Sequence, residues 1–283
     1  MTYKDILLSL TTHPQTTPDA AVDYVARLAK GCGAQLSAVA WELKLQRPGP
    51  FPFIADAVLD LSGLMRGEMQ KSAGNARHLA EAFEAATKRE GVTGRYETAS
   101  CPPAEIPQRL SRRARLHDLT VVPFVAGVDE CAVYAEHAVF GSGRPVLIVP
   151  ESSLGGTGSF GHVVVGWDHS RPAARALADA MPLLEAASDV HVVTVTNEKP
   201  LPAPLDGEAV LRHLSAHGVN AIPVAVDAAG RSIGKAMQDY VGSVGADLLV
   251  MGAYGHSRVQ QFILGGATRT ILPAPPIPVL LSH

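Results

Sequence analysis

Short apolar runs alternate along this chain with longer stretches whose apolar positions recur at helical spacing, and the whole series occurs twice. Near the start, "KDILLSLT" is a continuous apolar run; helical spacing follows over residues 20–30, then a second run, "AQLSAVAW". From Gly161 the series begins again with "GHVVVGWD", helical spacing over 172–187, and "DVHVVTVT". Further helices are predicted over 72–90 in the first half and 208–217 in the second, followed by the β-like segments "VTGRYETA" and "VNAIPVAVD". Helices over 106–115 and 233–244 come next, and the halves close with "HDLTVVPF" and "RPVLIVP" against "ADLLVMGA" and "IPVLLSH". Strand-length runs alternating with helices mark βαβ units, and continuous apolarity puts the strands in a parallel sheet covered on both faces. The expectation is an α/β chain of two tandem doubly wound open parallel sheets, five strands in each.

A chain of 283 residues is long for one ordinary domain and about right for two. The repeat sets the division at 1–150 and 161–283, with "ESSLGGTGSF", residues 151–160, as a flexible Gly- and Ser-rich linker. Gly156, Gly158 and Gly161 match G-x-G-x-x-G, but that fingerprint must follow a strand and open a helix. Here the glycines precede the strand that starts near His162, so they read as part of the linker. The Pro- and Phe-containing segment "ELKLQRPGPFPFIADAVLDL", residues 42–61, is longer than its counterpart after Thr196. An irregular connection packing locally is the first reading, and a lid or partner-contact loop around Phe51, Phe53 and Ile54 the other.

Apolar residues at 47% and charged residues at 18% describe a globular chain rather than a disordered one. No apolar run approaches the ~20 residues of a spanning helix, and "MTYKDILLSL" puts an acid inside what would be a signal core. A cytoplasmic location and no membrane partner are expected. The three cysteines, Cys32, Cys101 and Cys131, show no ligand spacing and read as free thiols. A net charge of −3 gives no electrostatic reason to expect nucleic acid. The basic cluster Arg109, Arg112, Arg113 and Arg115 reads first as a solvated helix face, with an anionic partner as the alternative.

The stretch with chemical promise is "MGAYGHSRVQQFILGGATRTIL", residues 251–272. Its first glycines, Gly252 and Gly255, leave the carboxyl end of a buried parallel strand, where ligands of open α/β sheets bind. From Gly265 it reads as the first turns of a helix ended by Pro273, Pro275 and Pro276. A helix start offers unpaired amides and a positive dipole end, and glycine lets ligand oxygens approach the backbone. Phosphate or another anion is the natural occupant, with Thr268, His256, Ser257 and Arg258 as further donors or charge. The competing reading is that the glycines only close a tight strand–helix connection.

The spacing G-x2-G-x9-G over Gly252, Gly255 and Gly265, followed by Thr268 and a terminal "PVLL", resembles the nucleotide loop of the universal stress protein family, and both halves match its domain in length and strand order. The resemblance implies an adenine nucleotide α-hydrolase-like, Rossmann-like fold and binding of ATP or a related adenine nucleotide, with Mg2+ as a possible companion. It implies that Asp168 in "GWDHS", with Ser170 behind it, lies near adenine and ribose, and that Val195 touches the base. Gly252, Gly255, Gly265, Gly266, Ala267 and Thr268 would surround ribose and phosphates. It also implies that "PVLIV" and "PVLL" pair as antiparallel edges, joining the two domains within the chain, and allows a homodimer.

One departure stands out: the family pattern has Ser or Thr directly after the third loop glycine, and this chain has Gly266. A neutral hydrogen bond is worth ~0.5–1.5 kcal/mol net, so binding is expected to weaken by roughly tenfold. If the departure abolishes binding, there is no cofactor. In the first half, Thr11 or Thr12 stands where Asp168 does, Pro123 where Gly252 does, and Ala135 opposite Thr268; Pro123 has no amide hydrogen to offer. That half has the scaffold without the site.

No G-x4-G-K-[ST] loop, G-x-S-x-G elbow or convincing acid–base pair is present, so no catalytic residue is assigned and at most slow ATP hydrolysis is expected. Three readings stay open. The first is a stress-response or regulatory module binding ATP in its second domain; the second is a scaffold with both sites degenerate. The third is an enzyme of the related α-hydrolase-like group, which requires turnover dependent on Asp168 or His256.

Overall fold

A computed structural model of the chain describes residues 2–46, 61–125, 129–197, 207–253 and 266–283. Phe51, Phe53 and Ile54 lie outside the described residues. The first half runs β1 (Asp5–Thr11), α1 (Asp19–Cys32), β2 (Gln35–Leu43), α2 (Leu61–Glu90), β3 (Gly94–Cys101), α3 (Ile106–Ala114), β4 (Leu119–Phe124), α4 (Asp129–Ser142) and β5 (Val146–Pro150). The second runs β6 (His162–Gly166), α5 (Arg171–Leu184), β7 (Asp189–Thr196), α6 (Gly207–Ala216), β8 (Ala221–Asp227), α7 (Ile233–Val244), β9 (Leu248–Gly252), α8 (Gly266–Ile271) and β10 (Val279–Ser282).

The strands form a ten-stranded sheet in the order β3-β2-β1-β4-β5-β10-β9-β6-β7-β8. Read outward from the middle, each half has the same doubly wound order. Neighbours are parallel except β5 and β10, which run antiparallel with Val146 opposite Leu281, Leu147 opposite Leu280 and Ile148 opposite Val279. Because both faces of a parallel sheet are covered by crossover helices, two apolar layers form. On one face Leu28 of α1, Leu79 of α2, Leu184 of α5 and Leu214 of α6 pack together; on the other, Leu110 of α3, Val139 of α4, Val241 of α7 and Ile271 of α8 do so. Both layers cross the β5–β10 joint. The outermost strand β8 carries Pro223, which lacks an amide hydrogen and is tolerated at an edge.

The 151–160 connection, expected from its composition to be a flexible linker, is docked on α1. Leu154 and Phe160 are buried in the layer that holds Leu28, and Arg27 donates to the Gly156 carbonyl at 2.8 Å. Gly158 has φ of 78°, and a Cβ there would lie 2.7 Å from the Leu28 nitrogen, so glycine is required. Two apolar anchors and this close approach override the composition.

All three cysteines are free. Burial pushes the Cys32 thiol up to about 11 and raises Cys101 and Cys131 above the ordinary thiol value. Thiolate is the reactive form, so a raised pKa leaves the thiols protonated and slow at neutral pH. At pH 8, Cys32 of the native protein should react with an aromatic disulfide reagent on the order of a hundredfold more slowly than after denaturation. Equal rates in the two states would contradict this burial.

Candidate functional site

In an open parallel sheet, neighbouring strands whose crossovers leave to opposite faces open a crevice at their carboxyl ends. β6 and β9 are such a pair, because α5 and α8 lie on opposite faces. Gly166 at the end of β6 pairs with Val193 of β7, and the Trp167 amide donates to the Val193 carbonyl at 2.8 Å. Two residues on, Asp168 is level with Val195. On the other side Val165 pairs with Val250, which brings Trp167 level with Gly252. Asp168, Val195 and Gly252 thus share one end of three adjacent strands.

The turn after β6 is built by its own polar groups. Asp168 Oδ1 accepts from the Ser170 amide at 2.9 Å, and Ser170 Oγ accepts from the Ala173 amide at 3.2 Å, capping α5. His169 between them has φ of 60°, a left-handed conformation that non-glycine residues seldom adopt. This fixes the Asp168 carboxylate while leaving Oδ2 without a partner among the described residues. Trp167 was not singled out from the sequence, although its indole is conspicuous in "VVVGWDHS". Its Nε1 is buried without a hydrogen-bond partner among the described residues, and its ring meets His169 edge-on at 5.5 Å between centroids.

The glycines answer to packing as well as to any ligand. A Cβ on Gly252 would lie 2.5 Å from both the Pro172 carbonyl carbon and the Ala173 nitrogen, so the bare backbone lets β9 pass against the start of α5. Gly266 opens α8, is exposed, and has nothing within 4 Å of where a Cβ would stand. Ala267 is half-buried, while Thr268 is buried at 3% exposure, on the side of α8 that faces the core. Gly234 of α7 holds this short helix close: a Cβ there would lie 2.5 Å from Thr270 Cβ. Gly255, His256, Arg258 and Gly265, with Ser257, lie outside the described residues. On the rim, Asp227 at the end of β8 accepts from the Ala229 amide at 2.8 Å and from Asn197 Nδ2 at 3.1 Å; these bonds, the Ala229 amide first, hold its carboxyl below the ordinary carboxylate range.

The matching end of the first half is closed by hydroxyls. Register places Ile6 against Leu119 as Val163 lies against Leu248, so Thr11 and Pro123 occupy the positions of Asp168 and Gly252. Thr11 Oγ1 is 3.0 Å from Thr17 Oγ1. Thr12 is buried, with its hydroxyl 2.6 Å from both the Trp41 carbonyl and Ser72 Oγ, which in turn accepts from the Leu43 amide at 2.8 Å. Ala135, opposite Thr268, is fully buried in α4.

Residues 159–283 match the model of the universal stress protein family. The match covers the second half of the chain and marks that half as similar to the family. The whole chain is similar in fold to a universal stress protein from Archaeoglobus fulgidus, at 17% identity with a TM-score of 0.65, covering 98% of each chain. It is also similar to a functionally unknown protein from Pseudomonas aeruginosa, at 13% identity with a TM-score of 0.55, covering 99% of this chain and 92% of that one. A shorter universal stress family protein from Arabidopsis thaliana, solved with AMP bound, covers 52% of this chain and 91% of its own at 13% identity and a TM-score of 0.33. No protein of curated function matches the sequence. The half that matches the family model sits beside a first half with the same strand order. Among the described residues there is no helix long and apolar enough to cross a membrane and no group of three or more His, Cys, Asp or Glu suited to a metal ion.

Gly252 and Gly266 separate packing from openness. Gly252→Ala forces a Cβ into backbone and should cost ~1–3 kcal/mol or more, lowering the melting temperature by several degrees. Gly266→Ala should stay within ~0.5 kcal/mol of the parent. Indistinguishable melting curves for the two variants would show that the contact at Gly252 is not real.

Proposed function

We propose that the protein is a stress-response or regulatory module that binds one adenine nucleotide, ATP first among them, in its second domain. The domains are 1–150 and 161–283, with 151–160 joining them, and the location is cytoplasmic. The ligand class is the one the family resemblance implies, and the observation that carries the reading is the turn at Asp168. Its carboxylate is fixed by its own backbone, keeps one oxygen free of described partners, and is level with Val195 at the carboxyl end of the sheet. Asp168 accepts from the ribose, Val195 borders the base, and Gly252, Gly255, His256, Arg258 and the segment 265–268 surround the phosphates, with any Mg2+ arriving on the triphosphate. The half-buried Trp167 makes the turn a reporter of occupancy. ATP acts as a conformational ligand, biasing two states by its differential affinity, and efficient turnover is not part of its role.

The first domain takes no nucleotide in this reading. Its strand ends are occupied by the Thr11–Thr17 and Thr12–Ser72 hydroxyl pairs, and Pro123 offers no amide. A second reading, a scaffold with both sites degenerate, draws on Gly252 and Thr268, since the first has a complete packing explanation and the second is buried.

Thermal shift and calorimetry on the full chain decide between them. ATP with magnesium at a hundredfold excess over its dissociation constant should stabilise by ~2.7 kcal/mol, raising the melting temperature by several degrees, with one site per chain. Asp168→Ala should remove the shift. In Trp41→Phe, the remaining Trp167 should change its emission on titration, and AMP provides a second probe. No shift and no nucleotide released on denaturation would favour the scaffold; two sites per chain would contradict the asymmetry.

A further inference from the structure

The arginine cluster of α3 separates into two kinds. Arg109 donates to Glu105 at 2.8 and 3.0 Å, and Arg113 makes a two-pronged contact with Glu97 at 2.7 and 2.8 Å. These two are neutralised by their own surroundings. Arg112 and Arg115 have no carboxylate partner among the described residues, and both line a crevice of about 510 Å³ between α3 and α4.

The crevice has a fixed floor. Ser111 Oγ is 2.6 Å from the His137 carbonyl, tying the helices together, and a Cβ on Gly141 would lie 2.8 Å from Ser111 Oγ. Arg115 Nε donates to the Gly141 carbonyl at 3.0 Å, which orients its guanidinium and leaves the four Nη hydrogens for another acceptor. Phe140 and the aliphatic stems of the arginines supply apolar wall. Glu136 lies on the same lining without an ion pair to either arginine, and its charge disfavours a polyanion such as a nucleoside triphosphate. The volume falls within the ~300–1,000 Å³ typical of small-molecule sites.

We propose that this crevice binds a small organic anion, a carboxylate or phosphate head group held between Arg112 and Arg115 with an apolar body against Phe140. A planar guanidinium pair suits such an oxyanion head, and the assignment is independent of the nucleotide reading because it lies in the other half of the chain.

The test uses the full chain with benzoate and phenyl phosphate as probes and benzyl alcohol as the neutral control, read by ligand-observed NMR and calorimetry. Either anion should bind with a dissociation constant of about 1 mM or below, and benzyl alcohol should not. The tighter of the two identifies the head group. Arg112→Gln should weaken binding by about tenfold or more, whereas Arg109→Gln and Asp168→Ala should leave it unchanged. The bound anion should also protect Arg112 and Arg115, but not Arg109, from phenylglyoxal in the unaltered protein. Neither anion binding, or unchanged affinity in Arg112→Gln, would overturn the proposal, as would equal protection of all three arginines.

Discussion

Everything in this molecule is arranged about the antiparallel meeting of β5 and β10. Three residue pairs, all nearly or fully buried, turn two five-stranded parallel layers into one ten-stranded sheet. Each of these strands would otherwise be an open edge with a row of unpaired amides and carbonyls, and pairing them satisfies both rows at once. The apolar layers then run across the joint, so that Tyr3 before β1 reaches the Asp179 carbonyl on α5 with its hydroxyl at 2.5 Å. Burial, with the Asp179 carboxylate next, raises the Tyr3 phenol well above its ordinary value.

With the halves fixed together, their strand ends differ in chemistry while sharing a backbone plan. In the second half an aspartate closes the turn after the leading strand with its own backbone, and glycine ends the fourth strand of the set. In the first half a buried chain of hydroxyls runs from Thr12 through Ser72 of α2 to the Leu43 amide. Buried hydroxyls with partners hold their place firmly, since leaving one buried without its partner costs the desolvation penalty of that group. The duplication thus yields one half with polar groups directed at the strand ends and another with such groups turned inward.

Much of this order was legible in the chain. Fully covered parallel strands must be apolar at successive positions, so the repeat and the succession of strands along the chain could be read from runs such as "HVVVG" and "LLVMG". Other elements left weaker marks. The first turns of α2, from Leu61, are largely solvated and give no apolar stripe, so the helix was expected to start at residue 72. α4 has apolar residues on its exposed side too, with Val133 at 41% exposure, which blurs its period. At the site, spacing flagged Gly252 as a position that needs glycine, yet the cause is contact with Pro172, a neighbour some eighty residues away that local sequence cannot reveal. The burial of Thr268 was hidden for the same reason, being set by how α8 lies against Gly234 of α7.

The central claim is that the carboxyl ends of β6, β7 and β9 hold a single nucleotide whose ribose is met by Asp168. A crystal structure of the full chain grown with a non-hydrolysable ATP analogue and magnesium tests it most directly. The account predicts one nucleotide per chain, with a ribose hydroxyl on Asp168, the base beside Val195 and the phosphates along 252–268. A nucleotide in the first half, or an empty crevice at a saturating analogue concentration, would contradict it.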